Sequence, residues 1–580
     1  MHILQQLVNF AKRHFVLNVL FLLLLGSSYA LLHPSFFHVH DFTHAARIAE
    51  MSTALREGQL PVRWSANFGY GFGMPLFNFY APLPYFVGAL FDLFEVEVVT
   101  SLKLLYFLSS LLALVGAYLF GRLWLGRLAS LTLAGVYLLA PYRAVNLFVR
   151  GALSEAWAMA FLPWVLWAAW RWVDGRQRGH LLYLTLALAA IILSHNLTAL
   201  MFIPLSGLLI FLYLLWKKQL RLIWPLLGSY VLAFALTAFY SLPSFMEKDY
   251  TQIHKIFAGY FHYSHHFLYI RQFFQENWQY GGSAWGPADD MSFFLGATGL
   301  VGLGVLAIIL LRRWRKWHQL STAVQFWLLA SSTVLGGSLF LTLLKSQWLW
   351  DHVFLLPYIQ FPWRFLSLAA LFLAILTAIS VQLLRAKSKR YLYFVVLMVA
   401  LFYQTKYFQP SSYLDDPTAL YYTDASRIRQ QMSETLPDYI PAQMADGEML
   451  RAFSDQPLAR SSADQIILQD VMVDRAHEKL ILLDMKTDSV VDLKIAAFPG
   501  WQLEIDGEPA PAQINEELGN LQIVMPAGEH KLSVVFTQQT PARLLGNGLS
   551  GSALILLLYF FWPFAKSSQR PQLRAGKSKR

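Results

Sequence analysis

The chain has 580 residues, of which 56% are hydrophobic, 16% aromatic and only 14% charged, with a net charge of +11; an average soluble protein is about 25% charged. Apolar runs of about 20 residues, each long enough to cross a bilayer, recur along most of the sequence, which excludes a soluble enzyme, a disordered chain and a cytosolic nucleic-acid binder. The absence of cysteine excludes a disulfide framework, a thiol nucleophile, cysteine-based zinc sites and iron–sulfur clusters.

A basic start, Lys12-Arg13, precedes an apolar run from Phe15 to Leu32. The run ends at His33-Pro34 rather than at a small-residue cleavage site, the pattern of an uncleaved signal anchor. Further basic clusters lie at Arg122–Arg127, Arg171–Arg178, Lys217–Arg221, Arg312–Lys316, Arg385–Arg390 and in the tail from Lys566. Short cytoplasmic loops carry the Lys/Arg excess. Placing every cluster inside predicts twelve spans, near 15–32, 102–121, 128–146, 152–173, 180–197, 198–216, 222–244, 292–311, 321–345, 361–384, 391–408 and 543–564, with both termini cytoplasmic. Met74 to Phe94 is also apolar enough to span. Counting it would put Arg122 and Arg127 outside, and it carries Pro75, Pro82 and Pro84. It therefore reads as an interfacial or re-entrant part of the first external loop, 33–101; thirteen spans with one end moved is the alternative. The other outward parts are the turn at Arg150, the loops 245–291 and 346–360, and the segment 409–541.

That last segment interrupts the membrane body (1–408). It holds 21 of the 35 acidic residues and only 9 Lys and Arg, net −12, leaving +23 for the rest of the chain. It predicts a helix from Asp415 to Glu434 and a turn at Pro437. Strands follow over Gln465–Val473, Leu480–Met485, Val490–Ala497, Trp501–Ile505, Leu521–Met525 and Lys531–Phe536, with a hairpin turn at Asp506-Gly507. Short strands at this spacing indicate a small β-sandwich-like domain outside the cytoplasm. A last span (542–565) and a basic tail (566–580) facing the cytoplasmic leaflet complete the chain.

Ionisable groups at membrane depth are costly, so their positions are informative. Asp41 follows the first span in His40-Asp41-Phe42-Thr43-His44-Ala45-Ala46-Arg47. On a helix Asp41 and His44 share a face, and Arg47 lies one turn on. A carboxylate beside a cation at the water–lipid boundary suits a general base acting on an anionic lipid substrate; helix capping is the other reading. His33, His38, His40 and His44 raise the question of a divalent metal, though no second acid is close in sequence. Glu155, in Arg150-Gly151-Ala152-Leu153-Ser154-Glu155, stands one turn into an apolar helix. It is either a helix N-terminal charge or a second acid lining the cavity of Asp41, with Arg150 as partner. His195, in Ser194-His195-Asn196, reads as a buried histidine at a helix end. Arg364, in Phe361-Pro362-Trp363-Arg364, either snorkels to headgroups or grips a lipid phosphate with its fork. The loop 245–291 offers Glu247, Lys248, Trp278 and Trp285 among other polar and aromatic residues, able to stack on sugars or to form an interfacial belt. With His40 and His44, these are the candidates for lining a substrate site. Walker A, dinucleotide, HExxH and GxSxG motifs are absent, and the cytoplasmic loops are too short for a nucleotide domain. An enzyme built this way draws an activated substrate from the lipid.

Several stretches carry a resemblance: Gly58-Gln59-Leu60-Pro61-Val62-Arg63-Trp64, Gly69-Tyr70-Gly71-Phe72-Gly73-Met74-Pro75-Leu76-Phe77, Tyr80-Ala81-Pro82-Leu83-Pro84-Tyr85, Ser194-His195-Asn196, Phe361-Pro362-Trp363-Arg364-Phe365 and Phe498-Pro499-Gly500-Trp501. The chain resembles the bacterial YfhO-like proteins and the related membrane family labelled 6-pyruvoyl-tetrahydropterin synthase-related. With its acid after the first span and long first external loop, it also resembles the GT-C superfamily of integral-membrane glycosyltransferases.

The resemblance implies a polytopic GT-C-like fold in a bacterial cytoplasmic (inner) membrane. It implies sugar transfer, at the outer face, from a polyprenyl-phosphate donor to a cell-envelope polymer or glycolipid. Asp41 would be the base and Glu155 a second acid, while Arg47, Arg150, His195 and Arg364 would hold the donor phosphate. The partners are then membrane lipids, the donor and the acceptor, with no nucleic acid. His40 stands beside Asp41 where the superfamily pairs two acids, so a divalent metal is not required by this pattern. A non-catalytic lipid or polymer transporter and an envelope-assembly scaffold are the alternatives.

Overall fold

The computed structural model describes residues 14–414, 422–435, 437–461 and 465–567. The basic start, part of the helix expected from Asp415 and the tail beyond 567 lie outside the described residues.

Among the described residues, six helices are long and apolar enough to cross a membrane: Phe15–Leu32, Val98–Arg122, Asn196–Trp216, Thr322–Thr342, Pro362–Leu383 and Pro541–Phe560. Two more spans are broken, Arg127–Leu138 with Pro141–Val149 (bent by 42°) and Leu220–Leu236 with Ala238–Met246 (68°). By length and composition six to eight therefore qualify, and the expected twelve are not confirmed; the other four expected segments are helices that fall short in length or apolarity. Local chemistry explains the shortfall. Gly179–Ser194 and Ala297–Arg313 have 16 and 17 residues, short of the roughly 20 that a bilayer needs. Leu153–Gly175 is diluted by five tryptophans and Glu155, Arg171 and Asp174. Ala386–Phe402 opens with Lys387, Lys389 and Arg390. Met74 to Phe94 forms two short helices, Leu76–Phe79 and Leu83–Leu93; the second, at 11 residues, rises only about 16 Å.

Leu366–Leu383 is apolar all round, as a helix enclosed by others must be, and the span Pro362–Leu383 is 89% buried. Helices Arg127–Leu138, Ala297–Arg313 and Thr322–Thr342 pack on it. Gly299 and Gly302 let one of these approach closely, since a Cβ at either would collide with Leu373 or Thr377. The last span lies at the edge, only 17% buried.

Among the described residues nine strands follow the membrane body: β1 (Ala459–Ser461), β2 (Ile466–Arg475), β3 (Glu478–Met485), β4 (Ser489–Ala496), β5 (Trp501–Ile505), β6 (Glu508–Ala510), β7 (Gln513–Ile514), β8 (Asn520–Met525) and β9 (Gly528–Phe536). They form two antiparallel sheets, ordered β1-β4-β8-β7 and β2-β3-β9-β5-β6. Alternate side chains from both sheets, among them Leu483, Val534, Leu493 and Ile523, share one core, which makes the unit a β-sandwich. The Asp506-Gly507 turn has both φ angles positive (52° and 87°), as a two-residue hairpin demands. The six expected strands are present; β1, β6 and β7 are too short to carry a pattern. The helix expected over 415–434 is, in its described part, broken: residues 422–423 are helical, and after Asp424 a turn at Ala425–Arg427 runs into a π-helical turn, Ile428–Met432.

The sandwich docks on the segment between the first two spans through stretches far apart in sequence. The Trp64 ring meets Trp501 (5.2 Å between centroids), Phe536 (5.0 Å) and Phe498 (6.1 Å). Gly73, at φ +77°, leaves room for the Trp64 indole that any Cβ would strike. Beneath this aromatic joint lies a buried polar one. Glu247 accepts from Arg543 Nη2 (3.0 Å), Asn78 Nδ2 (2.9 Å) and Thr540 Oγ1 (2.5 Å). Arg63 donates to Asn78, Gln538, Asn547 and the Phe239 carbonyl. Membrane body, sandwich and last span are thus locked together.

Candidate active site

The first span delivers the chain to His40 and Asp41, whose backbone N–H groups donate to the carbonyls of Val149 (3.1 Å) and Arg150 (2.9 Å) at the end of a broken span. Gly151 (φ +69°) makes this approach possible, because a Cβ there would press on Val39 and the Asp41 carbonyl. Helix His44–Arg56 begins at once, so Arg47, one turn in, folds back on Asp41. Its Nη2 donates to Oδ1 (3.0 Å) and its Nη1 to Oδ2 (3.1 Å), a two-pronged pair. Thr43 Oγ1 adds a bond at 3.1 Å. His44 Nε2 stands 3.3 Å from Oδ2, and its Nδ1 pairs with the Tyr85 hydroxyl at 2.7 Å. Arg47 is fully buried under the Tyr80 ring (4.7 Å), whereas the Asp41 side chain keeps 28% exposure.

Burial pushes the Asp41 carboxyl up, but the charges of Arg47 and His44 and the bonds from Arg47 and Thr43 outweigh it and hold it down to about 2. Burial pushes the His44 imidazole down to about 4, against the pull of Asp41. At neutral pH the pair is thus carboxylate and guanidinium beside a neutral imidazole.

A second cluster adjoins through Arg150. Arg150 Nη1 donates to Glu155 Oε2 at 2.7 Å, and the Tyr142 hydroxyl to Oε1 at 2.6 Å. Arg364 Nε lies 4.0 Å from the same carboxylate, held by its Nη1 on the Ile359 carbonyl (2.8 Å) and Gln360 Oε1 (2.9 Å). The Arg150 guanidinium rests 4.5 Å over the Trp363 ring. His195 caps the helix Asn196–Trp216 through Thr198 and lies within electrostatic reach of Glu155, Arg150 and Arg364. Tyr80 is in the same reach of Arg47, Arg150 and Arg364, and so stands between the clusters. Within this second cluster two guanidiniums face one carboxylate, which leaves one positive charge for an anion.

The structure therefore brings together Asp41, His44, Arg47, Arg150, Glu155, His195 and Arg364, with exposed His40 on the rim, its Nε2 2.8 Å from the Tyr280 carbonyl. The contacts of Glu247, Lys248, Trp278 and Trp285 are with other residues. Glu247 is consumed by Arg543. Lys248 pairs with Asp249 at 2.6 Å. Trp278 packs on Tyr407 (4.5 Å), and Trp285 is exposed beside His265. The N-terminal histidines diverge: His33 stacks on Tyr413, His40 binds Tyr280 and His44 binds Tyr85. Among the described residues no three His, Asp or Glu side chains are grouped to hold a metal ion.

Tyr142, Trp363 and Asp438 were not singled out from sequence. Tyr142 sits in an apolar run and Trp363 beside the arginine that drew attention. Asp438 comes from the acidic insert: burial pushes its carboxyl up to about 6, and Arg47 and Lys255 oppose this. Its neighbour Tyr439 stacks on Phe79 (6.0 Å) and meets Tyr80 edge-on (6.1 Å), so the insert closes over the Arg47 side.

An uncharacterized protein of Lactococcus lactis subsp. cremoris (strain MG1363) is 23% identical over 250 residues, 41% of each chain; this chain thus covers about two fifths of that curated relative's length. Solved structures align in part. They include arabinofuranosyltransferase AftD from Mycobacteria (TM-score 0.40, 17% identity, 70% of this chain and 28% of that one). The Archaeoglobus fulgidus oligosaccharyltransferase in the apo form gives 0.43, 13%, 72% and 56%. ArnT from Cupriavidus metallidurans bound to undecaprenyl phosphate gives 0.37, 14%, 76% and 75%. Residues 77–411 match the family described as "6-pyruvoyl-tetrahydropterin synthase related domain; membrane protein", more than half of the chain, and the chain belongs to that membrane-protein family.

Proposed function

We propose that this protein is a GT-C-type membrane glycosyltransferase that moves a sugar from a polyprenyl-phosphate donor to a cell-envelope polymer or glycolipid at the outer membrane face. One observation carries the reading: the 2.9 Å bond from Asp41 N–H to the Arg150 carbonyl sets an ionised, part-exposed carboxylate beside a cluster with surplus positive charge. The acceptor hydroxyl gives its proton to Asp41 while its oxygen attacks the sugar's anomeric carbon. The bond from that carbon to the phosphate oxygen breaks, and its electron pair leaves on the lipid phosphate. Arg150 and Arg364 meet the charge where it develops, usually the largest catalytic contribution. A carboxylate held near 2 is a weak base. The donor phosphate therefore also draws on Arg47, freeing Asp41 to take the proton. The test is sugar transfer by purified protein in lipid, from a panel of radiolabelled polyprenyl-phosphate sugars to an envelope acceptor; transfer from none of them would abandon the enzyme.

The phosphate site gives its own expected result. Arg364 touches Glu155 only at 4.0 Å, so Arg364→Gln should fold. It should weaken binding of a polyprenyl monophosphate by about 10-fold or more, on the scale of a charge-assisted bond, and leave the matching polyprenol unaffected. Equal binding by variant and wild type would remove Arg364 from the site.

Placement in the membrane is tested by single cysteines, which the chain's lack of native cysteine makes unambiguous. Exposed Ile467, changed to cysteine, should react with an impermeant maleimide on intact cells, and exposed Gln177, changed likewise, only after permeabilisation. The opposite pattern would invert the topology.

The two broken spans favour a second reading, a lipid-phosphate transporter, because interrupted helices line transport sites. Movement of labelled lipid across vesicles without sugar transfer would select it.

A further inference from the structure

A chain of three hydrogen bonds runs from the large external loop to the arginine cluster. Trp363 Nε1 lies 3.1 Å from Ser283 Oγ, Ser283 Oγ 2.6 Å from His266 Nδ1, and His266 Nε2 2.5 Å from the Tyr260 carbonyl. All three side chains are buried. A carbonyl only accepts, so His266 Nε2 carries the proton and Nδ1 is bare. Burial lowers the affinity of this imidazole for a second proton, which keeps it in that neutral form. The Ser283 hydroxyl must then donate to Nδ1, which leaves its oxygen to accept from the indole N–H. Every bond points one way, from Trp363 to Tyr260.

The far end of the chain is the floor of the arginine cluster. Trp363 stacks on Phe361 at 4.8 Å and 13°. Arg150 rests on the Trp363 ring at 4.5 Å, and Arg364 on the Phe361 ring at 4.9 Å. His266 also meets the Phe361 ring edge-on at 4.6 Å. The Ser283 turn is itself pinned, since Asp289 accepts from the Ala284 N–H (2.7 Å) and from Gln272 Nε2 (2.6 Å).

We infer that Ser283 and His266 are positioning residues for the phosphate-binding arginines: they lock the Trp363–Phe361 platform, and through it the aim of Arg150 and Arg364 at a lipid phosphate. Neither residue touches the phosphate. A buried platform held only by stacking can slide, whereas an indole N–H tied to a fixed hydroxyl cannot rotate without stranding a buried donor. The inference rests on the lipid-phosphate reading above, so its test has one measurement that needs no lipid.

In the first, full-length protein binds a polyprenyl monophosphate in nanodiscs. Ser283→Ala and Trp363→Phe should each weaken binding by about 10-fold, as loss of an outer-shell partner does. Ser283→Thr, which keeps the hydroxyl, should stay close to wild type. The double variant should be no weaker than the weaker single one, because both remove the same bond. In the second, phenylglyoxal modification of Arg150 and Arg364 is read by peptide mass spectrometry. Ser283→Ala should speed labelling severalfold, and Ser283→Thr should not. Additive losses in the double variant, or unchanged arginine labelling in Ser283→Ala, would overturn the positioning role. Faster labelling in a protein that binds no polyprenyl phosphate would uphold the coupling and reject the lipid-phosphate reading instead.

Discussion

Replacing Asp41 by asparagine should lower sugar transfer by a factor of about 10² to 10⁴, the range for loss of a general base, with the donor still bound. The amide keeps the shape of the carboxylate and can accept the Thr43 bond, but it cannot take a proton from the acceptor. The substitution also strands Arg47, which is fully buried and has Asp41 as its only carboxylate partner among the described residues. The comparison therefore needs a folding control and a second variant. Asp41→Glu keeps the charge for Arg47 and shifts the carboxylate by about 1 Å, enough to cost about 10²-fold where geometry matters. Because Asp41 is held down to about 2 and His44 down to about 4 in the free protein, neither changes charge there between about pH 5 and 9, and the wild-type kcat/KM profile, which reports the free enzyme, should show no limb from this pair. The sign follows: a depressed carboxyl stabilises the fold above its unfolded value and loses that contribution only as pH falls toward 2. Undiminished transfer by both variants would move the base elsewhere in the cluster.

The second large effect is on stability. Arg543→Ala or Glu247→Gln should destabilise the protein by roughly 3 kcal/mol or more, the cost of leaving one member of a buried ion pair alone. Both partners are almost completely buried. Arg543 also donates to the carbonyls of Thr537 and Pro499 (both 2.8 Å) and lies over the Phe536 ring. One side chain thus ties the last span to the sandwich, and through Glu247 to the membrane body. The expected reading is a lower unfolding midpoint with early proteolytic release of the sandwich from the segment around Trp64. A midpoint unchanged in both variants would show that the aromatic contacts of Trp64 hold the joint alone.

The two halves of the molecule differed in legibility. The sandwich strands were visible because alternation is a local property, written in neighbouring residues. Span counting was less secure, because basic clusters and apolar runs do not show where a helix falls short of a bilayer's length or apolarity. The bend at residues 139–140 changes what a helix can do without changing its apolar character, and the tryptophans and charges of Leu153–Gly175 dilute that character inside a run that still reads as a span. Asp41, Arg47 and His44 were legible as a group because they lie within seven residues, although the helix begins only at His44 and Asp41 stands in the turn before it. Glu247 looked like a loop acid able to meet a sugar; its true partner lies 296 residues away, a distance at which sequence spacing carries no information.

By itself, then, the sequence determined a basic membrane body, an acidic strand-rich insert before the last span, and an acid with its cation just past the first span, since composition, periodicity and helical spacing act over a few residues. The tertiary structure alone decided that Arg150, Glu155 and Arg364 converge beside Asp41, that Glu247 belongs to Arg543, and that Trp64, Gly73 and Trp501 form one joint. Those outcomes depend on which distant segments share a buried volume, where an unpaired charge is too costly to remain.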